Sequence, residues 1–357
     1  MQNEAVARYR RRTVAVALCV ALCAWLAAAG AQQRPSSAGD GATAPESARA
    51  STAESASGPT AAATAGRLSV GPFVPPDGTV LLGVSTDLYR LDAFDQTAGI
   101  AGHPAIYNRW TLPDGSLQPI LDDARTRPGM APMASWNLSL ADGAVAAGRE
   151  DGYLWAQAAA VKAYGGPVFI RLDWEMNATW YPRWNPPAVA PRAFVAAWRH
   201  VYALFRAAGA TNAAFVWCPT VWRGPGGVED AAWYPGDDAV DWVGLDAYPQ
   251  GASPDYLLRG PDGMDAMAEF AAAHGKPLML AEWAPQLPQP DTAAPIDLVL
   301  DWAARYPKTV KALVYFDFDN RGEGENKDFL LADHPVGAAE LRRRTQADSR
   351  YATSLPD

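Results

Sequence analysis

Cysteine is nearly missing from this sequence: three residues in 357. Two of them, Cys19 and Cys23, lie in a leading apolar segment, so only Cys218 is left for the folded part. A lone thiol cannot close an intrachain disulfide, and a multi-thiolate metal site is excluded. Histidine is scarce too. His103, His200, His274 and His334 are scattered without H-x-H or H-x-x-H spacing, so no metal and no cofactor are expected. After the N-terminus no stretch of Lys and Arg is long enough for a basic patch. With a net charge of −9 and a pI near 5.0, the chain lacks the positive surface that a phosphate backbone requires, which excludes a nucleic-acid partner.

Long apolar runs are also lacking, with one exception. Arg8, Arg10, Arg11 and Arg12 precede the uncharged residues 13–31, "TVAVALCVALCAWLAAAGA". A basic n-region, an apolar stretch and small residues at its end make an export signal, with Ala29-Gly30-Ala31 as the cleavage site. The run approaches the ~20 residues that span a bilayer, so an uncleaved N-terminal anchor is the alternative over residues 1–31. Both place everything downstream outside the cytoplasm, secreted or periplasmic. Residues 32–66 are Ala, Ser, Thr, Gly and Pro with hardly any large apolar side chain. Such a segment cannot offset its chain entropy and reads as a flexible linker.

What the chain has in quantity is Pro (30), Gly (30) and Trp (14), which means many defined turns and much flat apolar surface. From residue 67 to 357 the sequence is well mixed, with no internal repeat and no second low-complexity break. Eight β-rich runs stand out, at 79–85, 105–110, 130–136, 167–175, 213–219, 240–248, 277–283 and 312–318. Amphipathic helix patterns lie between several of them, at 150–165, 191–209, 263–275 and 294–306, three of which end in the usual stop residue, glycine. Eight strands with intervening helices predict a single α/β domain, a (β/α)8 TIM barrel. A doubly wound open sheet is the competitor, but no Gly-rich phosphate turn follows the first strand.

In a barrel, chemistry gathers at the C-terminal strand ends, and here those ends are unusually polar. "RLDWEMNATWYPRW" (171–184) packs acids, arginines and tryptophans directly after a buried run. Period-2 alternation puts Arg171, Asp173 and Glu175 on one side of their strand, and puts Glu282 on the side of Leu278 and Leu280. If those leucines face the barrel interior, Glu282 points inward at the rim. Acids among flat rings suggest a sugar site, with indoles stacking on pyranose faces and polar side chains taking hydroxyls. Each residue also has a bland reading: a strand-end acid in an ion pair, a core tryptophan, a small buried Cys218. Arg171 and Asp246 fit a buried barrel ion pair better than contact with substrate. About a third of the tryptophans are expected to reach sugar. "NLS" (137–139) and "NAT" (177–179) match glycosylation sequons, but both fall at presumed active-site strand ends and are read as coincidence.

The chain resembles glycoside hydrolase family 26, the β-mannanase family of retaining (β/α)8 glycosidases. Where that family reads H-E-M-N-G-x-W-Y-x-W after its fourth strand, this chain reads W-E-M-N-A-T-W-Y-P-R-W. "WYPGDDAVDWVGLDAYP" (233–249) is similar to the family's sixth-strand region, and "KPLMLAEWAP" (276–285) to its seventh strand. The resemblance implies Glu175 as acid/base and Glu282 as nucleophile, with Tyr248 and Arg171 orienting the nucleophile. Retaining hydrolysis places two such carboxyls about 5–5.5 Å apart, in environments that push their pKa values apart. Arg171 and Tyr248 are expected to keep Glu282 ionised, and Trp174 to keep Glu175 protonated.

Trp110, Trp180, Trp184, Trp217 and Trp283 are the expected sugar-stacking surfaces, together with Trp222. Asp87, Asn137, Asn177 and Asp246 are the expected polar contacts. The chain departs from the family at Trp174 (His in the family), Ala178 (Gly) and Trp283-Ala284 (commonly Phe-Gly), which leaves the sugar open. Expected, then, is a retaining glycosidase acting on a β-linked polysaccharide, mannan first, with mixed-linkage glucan, xylan or exopolysaccharide behind it. It is expected to work as a monomer, with a polysaccharide as its partner and a membrane involved only if the leader stays uncleaved. A carbohydrate-binding barrel without turnover is the alternative.

Overall fold

The computed structural model describes residues 71–111, 115–138, 140–178, 191–223, 229–249, 254–286, 289–321 and 327–356. The leader and linker expected over residues 1–66, and Trp180 and Trp184, lie outside the described residues.

Eight strands follow one another in the order the sequence predicts: β1 (Val80–Ser85), β2 (Ile106–Trp110), β3 (Ala131–Trp136), β4 (Val168–Leu172), β5 (Ala213–Trp217), β6 (Trp242–Asp246), β7 (Leu278–Trp283) and β8 (Val310–Phe316). Each pairs in parallel with the next, and β8 and β2 both pair with β1, so the sheet closes. A two-residue strand, β9 (Tyr351–Ala352), adds to the start of β1. The chain is a (β/α)8 barrel. The helices are α1 (Leu91–Ala98), α2 (Gln118–Arg125), α3 (Asp142–Ala146), α4 (Asp151–Tyr164), α5 (Pro191–Ala208), α6 (Pro254–Arg259), α7 (Met264–Ala273), α8 (Ala294–Arg305) and α9 (Pro335–Ala347). Among the described residues no helix is long and apolar enough to cross a membrane.

Side-chain parity sorts the core into two layers. Ile106, Met133, Phe169, Val216, Trp242, Met279 and Val314 fill the barrel interior. Their alternating neighbours, among them Tyr107, Ile170, Phe215, Leu280 and Leu313, pack outward against the helices. The longest helix shows the helical complement. In α5, Phe194, Ala197, Trp198, Val201 and Phe205 recur at three- and four-residue steps and are all buried. Trp198 and Phe205 meet Phe215 edge-on, at 5.9 and 5.3 Å between ring centres. The glycines at the three expected helix stops, Gly165, Gly209 and Gly275, take φ of 79°, 77° and 63°, where a side chain is strained.

One strand is irregular where it matters. β6 and β7 pair Leu245 with Leu280 but Asp246 with Glu282, and β7 and β8 pair Leu280 with Leu313 but Trp283 with Tyr315. Both ladders skip one residue of β7, which is a β-bulge. Leu278 and Leu280 therefore face the helices, Ala281 faces the interior, and Trp283 is back among the helices. The expectation that these leucines face inward is corrected. Glu282 reaches the mouth because the bulge resets the alternation.

Candidate active site

At the C-terminal mouth the side chains converge on Arg171. This residue has no solvent exposure and is the penultimate residue of β4. Its Nη1 donates to Glu282 Oε1 at 2.5 Å and to Ser135 Oγ at 3.1 Å, and its Nη2 donates to Asp246 Oδ2. The Tyr248 hydroxyl donates to the other oxygen of Glu282, Oε2, at 2.7 Å. Both oxygens of Glu282 are thus held from the strand ends around it, while the residue stays at the opening with 6% of its surface accessible. Asp246 is fixed from a second side by Cys218, whose thiol donates to Oδ1 at 3.2 Å. That approach requires Gly244. A Cβ there would stand 2.8 Å from Cys218 Cβ, closer than atoms pack.

Glu175 stands beyond the end of β4. The strand stops at Leu172, and Asp173 and Glu175 adopt φ of 39° and 55°, unusual for residues with side chains. The turn is tied down at both residues. Asp173 N donates to Trp136 O at 2.9 Å and Glu175 N donates to Cys218 O at 2.7 Å. Extended alternation does not survive this turn, so Arg171, Asp173 and Glu175 do not share a face. Asp173 turns to the β3 loop instead, where it accepts from Asn137 Nδ2 at 3.0 Å and Leu138 N at 2.9 Å.

The electrostatics of the mouth follow from crowding of acids in a dry place. Burial works against the Arg171 charge, but Asp246, Cys218 and Glu282 hold its pKa well above the ordinary arginine value. Burial pushes the Asp246 carboxyl up, Arg171 pulls it back, and the charges of Glu282 and Glu175 add to the upward push. Tyr248 is raised by burial first and then by Glu282 and Asp246, with Glu175 adding a smaller push. It stays protonated and keeps donating to Glu282. Glu175 and Glu282 therefore act on the same tyrosine and the same aspartate. One guanidinium serves two acids, Asp246 and Glu282, and the nearby charge of Glu175 adds to the upward push on Asp246.

Several expected contacts are corrected. Asn177 has no exposure, and its polar atoms are engaged inside the protein: Nδ2 donates to Thr220 O and Asp230 Oδ1, both at 2.7 Å, and Oδ1 accepts from Thr220 N at 3.0 Å. It ties the loop after β4 to the loops after β5. Asp246 sits in the buried ion pair with Arg171 that the sequence favours over substrate contact, and it also accepts from Cys218. Trp217 and Trp283 belong to the outer layer, where Trp217 Nε1 donates to Trp233 O at 3.0 Å and Trp283 packs edge-on with Tyr315 at 5.2 Å. Parity explains both, since each occupies an outward position at its strand end. Trp174 is buried in the interior cluster with the Arg171 guanidinium 5.3 Å over its ring. Asn137 is buried and its amide nitrogen is committed to Asp173.

At the rim stand Trp110, half-buried and edge-on to Phe316 and Phe318 at 5.7 and 5.4 Å, and Asp87, half-buried after β1. Trp222 stacks on the exposed Tyr256 of α6 at 5.2 Å and 23°. One group away from the mouth has ligand-like spacing: Asp92 and Asp95 of α1 with His103, their ligand atoms within 4.8 Å of one another. His103 Nδ1 lies 2.5 Å from Asp95 Oδ2, while Asp95 Oδ1 is buried with no hydrogen-bond partner among the described residues.

The model of glycosyl hydrolase family 26 matches residues 154–317, which contain Arg171, Glu175, Asp246, Tyr248 and Glu282. Over that stretch the chain is similar to glycosyl hydrolase family 26. Endoglucanase H of Acetivibrio thermocellus is 32% identical over 143 residues, 38% of this chain and 16% of that protein. A β-1,3-xylanase from a Vibrio species is 35% identical over 127 residues, 34% of this chain and 24% of its own length. The chain thus aligns with less than a quarter of either relative. Among solved structures, the fold is similar to a GH26 β-mannanase from Bacteroides ovatus, with a TM-score of 0.58, 17% identity, and coverage of 78% of this chain and 91% of the other. A Bacillus subtilis mannanase superimposes with a TM-score of 0.54 at 18% identity, over 81% of this chain and 95% of the other.

Sequence reasoning missed Ser135, Thr220 and Asp230 in this site. Ser135 carried a signal: a small polar residue in an otherwise apolar strand, one residue before its end. Asp230 is pushed up to about 7 by burial, with the charge of Asp262 adding and the Asn177 hydrogen bond opposing. Its partner on the β4 loop lies 53 positions away in sequence, and no local pattern announces it.

Proposed function

We propose that the chain is a retaining β-glycosidase that cleaves polysaccharide through a glycosyl-enzyme intermediate. The observation that carries this reading is the grip on Glu282: Arg171 on one oxygen and Tyr248 on the other, with Glu175 acting electrostatically on the same tyrosine. A carboxylate held at both oxygens keeps further lone pairs free, and held this way its orientation costs nothing when an anomeric carbon arrives. In the first step Glu282 attacks that carbon while Glu175 protonates the departing oxygen. In the second, Glu175 takes a proton from water, which displaces Glu282. Trp110 on one arc of the rim and the Trp222–Tyr256 pair on another supply apolar faces for sugar rings.

For substrate, β-mannan stands first. Trp174, a buried apolar ring where the family pattern has a histidine, leaves room for mixed-linkage glucan, xylan or exopolysaccharide. The names of the two sequence relatives widen the panel to β-1,4-glucan and β-1,3-xylan. The leader and linker support an extracytoplasmic location, secreted or anchored.

The test is sugar release from a polysaccharide panel by the wild type and by Glu282→Ala. The wild type should act on at least one member, and the variant should lose on the order of 10⁴ in kcat. NMR of the first product formed should show the starting anomeric configuration, and kcat/KM should follow a bell on the acidic side of neutral. Equal turnover by the two proteins removes Glu282 from the mechanism. Inverted product removes the covalent intermediate. Equal binding by both proteins with no turnover across the panel favours a barrel that only binds.

A further inference from the structure

Behind the mouth, a line of small polar side chains crosses the barrel interior from β4 back to β1. Ser85, Asn108, Ser135 and Arg171 each have no solvent exposure. Arg171 Nη1 donates to Ser135 Oγ at 3.1 Å, Ser135 Oγ donates to Asn108 Oδ1 at 2.9 Å, and Asn108 Nδ2 donates to Ser85 Oγ at 3.0 Å. Strand pairing sets the ends of this line, since Ser85 is the ladder partner of Asn108 and Ser135 that of Arg171. Four hydrogen-bonding side chains in the core of a barrel interior are costly there unless all are satisfied.

We propose that Ser135 and Asn108 are positioning residues for the nucleophile, acting through Arg171. This rests on the glycosidase reading of Glu282. Nη1 carries two hydrogens. One goes to Glu282 and the other to Ser135, so the serine fixes the rotation that aims the first at the carboxylate. Nε of Arg171 has no hydrogen-bond partner among the described residues, so this end of the guanidinium offers no substitute. Ser135 can accept from Arg171 only while its own proton points elsewhere, and Asn108 Oδ1 is what takes that proton. Asn108 turns its NH₂ group away from the serine and donates it to Ser85 Oγ. The chain therefore has one direction of donation, from Arg171 through Ser135 to Asn108, and Asn108 in turn donates to Ser85. Each member sets the polarity of the one before it.

The experiment is a double-mutant cycle on the full chain with Ser135→Ala, Asn108→Ala and the pair, plus Ser135→Thr, using the polysaccharide the wild type hydrolyses best. Ser135→Ala should lower kcat about 10-fold, with KM within about twofold, because the loss falls on the reacting geometry and not on sugar binding. Asn108→Ala should lower kcat less, about 3-fold, and the double variant should be no worse than Ser135→Ala alone, as expected for residues acting in series. Ser135→Thr, which keeps the hydroxyl, should recover most of the rate. A second measurement needs no turnover. The Nη protons of Arg171, identified by comparison with Arg171→Lys, should give slow-exchanging side-chain NMR signals in the wild type and in Ser135→Thr but not in Ser135→Ala. Unchanged kcat in Ser135→Ala, multiplicative losses in the double variant, or unchanged Arg171 signals would each overturn the proposal. If the wild type itself hydrolyses nothing, the glycosidase reading fails, and the Arg171 signals alone decide whether the relay holds the guanidinium.

Discussion

The two ends of the barrel solve the same problem, a charge buried beside the core, in opposite ways. At the floor, Lys311 of β8 is buried, and its ammonium donates to Asp77 Oδ1 at 2.9 Å and to the carbonyls of Pro76 and Pro307 at 3.2 and 3.5 Å. One cation meets one acid and two carbonyls, and Asp77 keeps contact with water at 38% side-chain exposure. Around it the segment before β1 seals the opening with apolar contacts. Phe73 packs on Phe169 and Phe169 on Trp242, at 5.6 and 5.4 Å, while Trp242 Nε1 donates to Pro72 O at 2.8 Å. At the mouth, a single guanidinium faces two carboxylates, Asp246 and Glu282, and burial and the charges of Glu282 and Glu175 push Asp246 upward. The floor is balanced and closes the barrel. The mouth is held out of balance by packing, and that imbalance is what proton-transfer chemistry needs.

The contrast breaks first at Arg171. Replacing it with Met should cost about 3–5 kcal/mol, because Asp246 and Glu282 lose their shared cation while remaining buried. It should also reduce kcat at least about 100-fold. Denaturant unfolding and single-substrate kinetics measure both. A variant that keeps its turnover would mean that the mouth does not depend on its cation. The floor should behave differently. Lys311→Met should lower stability by about 2 kcal/mol, the scale of lost hydrogen bonds with a solvated partner left behind, and leave kcat within about twofold. A comparable loss of turnover would show that the two ends are coupled.

The smallest expected effect sharpens the comparison at the edge of the mouth. Asp142, at the start of α3, is buried, neither carboxylate oxygen has a hydrogen-bond partner among the described residues, and burial pushes its pKa up to about 7. The folded chain then holds this proton more tightly than the unfolded chain, whose ordinary value is 3.8. Its stabilising share is fully present below about pH 4 and is lost as pH rises through about 7. Asp142→Asn should flatten that slope and raise stability at pH 8 by about 1 kcal/mol, read from denaturant midpoints across pH. Parallel slopes for the two proteins would mean that Asp142 ionises without cost.

How much of this was legible in the sequence depended on regularity. The eight strands were readable because each is a short apolar run buried on both faces, and α4, α5, α7 and α8 because their apolar residues recur at helical steps. The shorter α1, α2 and α3 and the charge-rich α9 carry weaker patterns. At the site, Arg171, Tyr248 and Glu282 come together as the family motifs imply. The reasoning that placed Glu282 did not hold, because counting by twos along β7 assumes an unbroken ladder and a bulge leaves no mark in the side-chain pattern. The same limit applies to Asp173 and Glu175, whose left-handed backbone ends the alternation at Leu172. Trp217 and Trp283 looked exposed because they end strands, and the pleat turned both toward the helices. Asn177 looked like a sugar contact because its neighbours in sequence are acids and rings, whereas its partners, Thr220 and Asp230, come from loops that sequence proximity does not connect.

The supernumerary residue of β7 carries a consequence for how this strand tolerates length variation. Ala281 adds a methyl to the interior without claiming a ladder partner of its own. A chain shortened by that alanine would pair evenly from Leu280 through the acid to Trp283, with the same three orientations at the rim. The strand thus has two lengths, not one, at which the acid still faces the opening.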